Sequence, residues 1–120
     1  MTTIHLETQI AAPPSRCFDL ARSVDTHAGS MALSGERAVG GVTSGLMTLG
    51  DMVTWEARHF GIRQRLTPRI TQVDPPTRFV DEQVSGAFSW FRHENEFIPA
   101  DGGTVMIDEF TYGCLSARSA

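Results

Sequence analysis

The chain has 120 residues and a mass of 13.1 kDa, with 41% hydrophobic and 20% charged residues. Those proportions exclude a disordered or fibrous chain and suffice for one packed core but not two. A formal charge of −4 and a pI near 5.4 argue against nucleic acid or an anionic membrane as the main partner, and the absence of lysine removes Schiff-base and lysine phosphate-loop chemistry.

From the amino terminus, Thr3 to Ile10 alternates Ile4, Leu6, Thr8 and Ile10 against His5, Glu7 and Gln9, the period of a strand. The opening residues lack the basic and apolar regions of a signal peptide. No stretch reaches the roughly twenty apolar residues of a membrane span, so a cytoplasmic location is expected. Pro13 and Pro14 end the strand and suit a helix start. A helix is predicted from Ser15 to Ala21, with Cys17, Phe18, Leu20 and Ala21 facing inward. Neither Cys17 nor Cys114 has metal or redox spacing, and Cys17 reads as a buried structural thiol. Ser23 to Met31 reads as a second helical turn or loop, with Ser23 and Asp25 as cap residues.

From Glu36 the pattern changes to period two. Strands are predicted at Glu36 to Leu46, Met52 to Phe60, Arg63 to Val73, Arg78 to Ser85, Ser89 to Pro99 and Thr104 to Tyr112. The links are short and contain glycine, proline or aspartate, which suits antiparallel neighbours and cannot hold the crossovers of a parallel sheet. Gly40 and Gly41 read as a bend in the second strand. Residues 1–120 therefore read as a single domain: a strand, two small helices and a six-strand meander.

The stretch Asp74 to Tyr112 departs from an ordinary strand pattern. One alternating face places Phe91, His93, Asn95 and Phe97 together, and the next strand places Met106, Asp108, Phe110 and Tyr112 together. A face that mixes large aromatics with His, Asn and Asp suits the wall of a cavity better than a closed core. A turn at Ala100 to Gly103 sets Phe97 opposite Met106, Asn95 opposite Asp108, His93 opposite Phe110 and Phe91 opposite Tyr112. On the preceding strand the facing set is either Phe79, Asp81 and Gln83, or Val80, Glu82 and Val84.

The order of elements resembles the helix-grip fold of the SRPBCC superfamily, which includes START domains, the pollen allergen type and polyketide cyclases. The segments Val53 to Gly61, Asp74 to Gln83, Phe91 to Glu94, and Gly102 to Thr104 with Met106 and Asp108 resemble one bacterial branch described as polyketide cyclase/dehydrase-like. The resemblance implies an α+β fold with a curved antiparallel sheet of about seven strands around a ligand cavity. It favours the Phe79, Asp81, Gln83 face, with a bulge near Gly86 that sets Asp81 opposite His93. It also implies a long carboxy-terminal helix across the sheet. The few residues after Gly113 are too short for such a helix of roughly 30 Å at about 1.5 Å per residue. The long carboxy-terminal helix is therefore expected to be absent, leaving an apolar sheet face for a partner to cover.

The expected function is binding of a small hydrophobic or amphipathic molecule on the concave sheet face, without catalysis. The expected lining is Trp55, His59, Phe79, Asp81, Gln83, Phe91, His93, Asn95, Phe97, Met106, Asp108 and Tyr112. The alternatives are a cyclase or dehydrase that uses Asp81 and His93 as acid and base, and a module whose open sheet is covered by a second copy in a homodimer. No residue is assigned an outright catalytic role. No cofactor is expected, and His59, His93, Asp81 and Asp108 lack the spacing of a metal site. Trp55, Phe88, Trp90, Phe91, Phe97 and Phe110 read as core that shares a surface with the cavity. His5 and His27 read as surface residues. Glu56, Arg58 and Arg92 read as a solvated convex face, and Arg63, Arg65 and Arg69 as an alternating basic edge.

Overall fold

Alternation along the chain becomes strand wherever both neighbours can pair. The computed structural model describes residues 1–30, 36–59 and 62–114, without the side chains of Ser30, Arg58 and His59. The elements are β1 (Thr2–Ile10), α1 (Pro14–Ala21), α2 (Val24–Ser30), β2 (Arg37–Gly41), β3 (Val53–His59), β4 (Ile62–Asp74), β5 (Arg78–Ser85), β6 (Phe91–Ala100) and β7 (Gly103–Tyr112). The strands form one antiparallel sheet in the order β1-β7-β6-β5-β4-β3-β2. β2 to β7 follow one another as a meander, and the two helices carry the chain from β1 at one edge to β2 at the other. This is the predicted helix-grip architecture, α+β with seven strands and two short helices after the first. Residues 115–120 lie outside the described residues, as does the expectation about a carboxy-terminal helix. No helix among the described residues is long and apolar enough to cross a membrane.

The curvature has local causes. Register shifts interrupt the ladders at Ala38/Gly40, Thr67/Pro68 and Ile70/Gln72, and each extra residue bends its strand. Pro68 is tolerated within β4 because it lies at such an interruption, where the ladder does not need its missing N–H. Gly41 has φ 69°, and a Cβ there would run into the Met52 carbonyl oxygen, so only glycine fits this bend.

The helices bury one side against the concave face. Cys17, Phe18 and Val24 meet Val53, Trp55, Ile70, Phe79 and Phe97 in one cluster. Phe18 packs edge-on against Phe79 and Phe97, with ring centroids 5.6 and 5.7 Å apart. Ser23 accepts a hydrogen bond from the Thr26 amide through its Oγ at 3.1 Å and so caps α2.

Several expectations need correction. Leu20 is 43% exposed and Ala21 is also exposed, so the buried side of α1 is Cys17 and Phe18 alone. The second strand ends at Gly41 rather than Leu46. Beyond Val42 the chain is held by the helix junction instead of a strand partner. The Met47 amide donates to the Arg22 carbonyl at 2.9 Å, and the Gly45 amide donates to Asp25 at 2.8 Å. Arg63, Arg65 and Arg69 do not form one continuous edge, because Arg63 and Arg65 pair with β3 while Arg69 pairs with β5. Arg65 and Arg37 hydrogen-bond Glu56 at 2.8 and 3.0 Å, with Arg63 at 3.7 Å. Their donors and charge hold the Glu56 carboxyl below the usual carboxylate range. Trp90 is 43% exposed and is not core. The ends of two predicted elements, Met31 and Phe60, lie outside the described residues.

Candidate functional site

The register of β5, β6 and β7 converts sequence alternation into a layered wall. Directly opposed residues are Phe79 and Asn95, Asp81 and His93, Asn95 and Asp108, His93 and Phe110, Phe91 and Tyr112, and Phe97 and Met106. The β6–β7 pairing is the one the turn implied, closed by Asp101 and Gly102 with Gly102 at φ 77°. Near Gly86 the structure has a connection from Gly86 to Trp90 rather than a bulge, and it still sets Asp81 opposite His93.

Along the strands this face has three zones. At one end Phe79, Phe97 and Met106 belong to or pack on the helix-covered core. At the other, Phe88, Phe91, Phe110 and Tyr112 form a ring cluster, with centroids 5.0 Å apart for Phe88 and Tyr112 and 5.1 Å for Phe91 and Phe110. Gln83 builds that end. Its side chain brackets the Phe88 backbone, donating to the carbonyl at 2.7 Å and accepting from the amide at 3.3 Å. Between the two apolar zones lies a polar belt of Asp81, His93, Asn95 and Asp108.

His93 is the centre of the belt. Its Nε2 lies 3.0 Å from Asp108 Oδ1 and its Nδ1 lies 3.4 Å from Asp81 Oδ1. The Asn95 amide donates to the same Asp81 oxygen at 3.5 Å. Burial disfavours the imidazolium, but hydrogen bonds and charge from Asp108 and Asp81 more than offset it. The His93 pKa is raised from 6.5 to about 9. At neutral pH the ring is therefore a cation donating from both nitrogens. In that state it has a proton to give and no lone pair to accept one, so it suits an acid and not a base.

A cavity of about 130 Å³ opens beside the belt, between the helix junction and β3 to β6. Val24, Met47, Val53, Trp55, Pro68, Ile70 and Phe79 form its apolar wall, and Asp81, His93, Asn95, Arg22, Ser23 and His27 its polar side. Arg22 reaches Asp19 with Nε and Nη2 at 2.9 and 2.7 Å and the Met47 carbonyl with Nη1 at 3.2 Å.

Of the sequence-predicted residues, Trp55, Phe79, Asp81, His93 and Asn95 line this cavity. Asp108 touches it through His93, and Phe91 and Tyr112 sit in the ring cluster beyond the belt. Phe97, 1% exposed, is packed in the core, and the His59 side chain lies outside the described residues. Sequence reasoning missed His27, which it placed on the surface. Its ring lies 4.4 Å from that of Trp55, and burial pulls its pKa below 6.5. Among the described residues no group of three or more His, Cys, Asp or Glu side chains is placed to hold a metal ion.

No family model and no curated protein matches the chain. Solved structures do match its fold. The protein TTHA0849 from Thermus thermophilus superposes with a TM-score of 0.73 at 19% identity, over 97% of this chain and 77% of that one. Ara h 8.0201 gives 0.69 at 18% identity over 99% and 81%. Ginseng major latex-like protein 151 from Panax ginseng gives 0.69 at 13% identity over 96% and 80%. At these identities the likeness establishes the shared fold alone.

Proposed function

We propose that the protein binds a small molecule with an apolar body and a polar head in the cavity beside the Asp81–His93–Asp108 belt, without transforming it. One observation carries this reading: an apolar wall and a convergent set of polar groups meet in a single concave space. Trp55, Phe79 and Ile70 contact the body of the guest, while Asp81, His93 and Asn95 fix its head. The space of about 130 Å³ is on the scale of one ring, since a cavity of about 150 Å³ holds benzene, and its open side leaves room for a short polar arm. A single ring with a short polar arm is the guest that fits.

The test uses 2-phenylethanol and the emission of Trp55, in a Trp90→Phe background that removes the only other tryptophan. A saturable emission change with a dissociation constant at or below about the millimolar range is expected, as for efficient ligands of this size. A linear, unsaturable response up to the solubility limit contradicts the reading.

Two finer readings have observations of their own. A cyclase- or dehydrase-type activity is favoured by the protonated His93 between two carboxylates, an arrangement that suits a general acid. Equal turnover of a polyketide-like substrate by the wild type and His93→Ala would remove it. A homodimer that covers the concave side of β1 is favoured by Ile4 and Leu6, which are 46% and 59% exposed and paired with Phe110 and Asp108. A monomer in light scattering at micromolar concentration excludes it.

A further inference from the structure

We infer that the guest of this cavity is a small aryl-alkyl amine, its ring against Trp55 and Phe79 and its ammonium group at Asp81. The inference rests on the binding reading above and adds to it the charge of the ligand.

Charge decides the chemistry of the guest. Two carboxylates, Asp81 and Asp108, bracket one imidazole. With the ring protonated the three groups sum to −1, and with the ring neutral they sum to −2. The sign is negative in both states of His93, so it does not depend on where that ring titrates. Asp81 and Asp108 are only 16% and 20% exposed, which weakens the screening of that charge by water.

Among the described residues no cation on the wall reverses this sign. Arg22 is the one arginine among them that lines the cavity, and Asp19 holds it through two donors to one oxygen. His27, on the opposite wall, is pushed toward its neutral form by burial. A carboxylate or phosphate guest would meet the Asp81 carboxylate and an arginine that is already engaged. An ammonium guest meets a carboxylate with acceptor capacity left, because among the described residues the contacts of Asp81 to His93 and Asn95 both use Oδ1.

Three ligands of nearly equal shape separate charge from size: 2-phenylethylamine, 2-phenylethanol and 3-phenylpropionate, titrated at pH 7. The amine is expected to bind at least about tenfold more tightly than the alcohol, and the carboxylate more weakly than the alcohol. Equal affinities for amine and alcohol, or tighter binding of the carboxylate, overturn the amine inference and leave the binding reading intact. No saturable binding of any of the three overturns both. Asp81→Asn removes the carboxylate assigned to the ammonium group while Asp108 still holds His93. It is expected to lower the amine-to-alcohol affinity ratio by roughly threefold or more, and an unchanged ratio counts against the charge argument. Because the readout is a ratio within one protein, a general loss of folded fraction does not imitate it.

Discussion

Replacing Phe18 with alanine is expected to lower the unfolding free energy by about 3–5 kcal/mol, the usual range for emptying a buried aromatic site. Phe18 is 2% exposed and is the ring that joins the helices to the sheet. Phe79 and Phe97 meet it edge-on, and the Arg22 guanidinium lies 5.1 Å above its centroid. A domain of this size has a total stability of only about 5–15 kcal/mol, so the variant loses a large share of it and melts on the order of 10–20 °C lower. Phe79 both packs on Phe18 and lines the cavity, so ligand affinity falls with stability. Urea unfolding of Phe18→Ala beside Leu20→Ala checks the placement. Leu20 lies on the exposed side of the same helix, and its truncation is expected to cost less than about 1 kcal/mol. Equal costs for the two variants contradict the assigned helix face.

The second large effect concerns His93 and pH. The folded-state pKa of about 9 lies above the unfolded value of 6.5. His93 therefore stabilises the fold fully below about pH 6.5, and the contribution is lost as pH rises through about 9. Its size is at most about 3 kcal/mol from the shift, and partial exposure of the ring reduces it to about 2 kcal/mol. The groups facing the ring are Asp81, Asp108, Asn95 and Phe110, with His27 across the cavity. The raised pKa of His93 spans pH 6.5 to 9, whereas burial holds that of His27 below 6.5. His5 also has a raised pKa, from Glu7 and Glu109, but it is common to both proteins compared and cancels. Wild-type stability is expected to fall more steeply across this window than that of His93→Ala, the difference being the His93 contribution. At pH 7 the variant is expected to be less stable by about 2–3 kcal/mol, because two half-buried carboxylates lose the cation between them. Parallel pH profiles for the two proteins contradict the assignment.

The candidate site was partly legible because strands carry their geometry in parity. Once Asp101 and Gly102 are read as a turn, the pairing of β6 with β7 follows by counting, and Asn95 falls opposite Asp108. The pairing of Asp81 with His93 needed the family resemblance, because the connection from Gly86 to Trp90 breaks the count. His27 was missed for a different reason. A helix of seven residues shows too little periodicity to reveal which side faces the sheet, and Val24 is its one strongly apolar residue. The extended reading of Glu36 to Leu46 failed because the Gly45 and Met47 amides donate to Asp25 and Arg22, distant in sequence, and hold the end of that segment at the helix junction. The polar belt was visible as a mixture of residue types. Its position between two apolar zones needed the pairing of three strands.

Whether the concave cavity is the ligand site is decided by mapping amide chemical shifts during titration with 2-phenylethanol. Saturable shifts are expected at Val53, Trp55, Ile70, Asp81, His93 and Asn95, with little change at Glu56 and Glu94 on the convex face. Shifts centred on that convex face, or shifts that never saturate, would place the guest elsewhere and contradict the assignment.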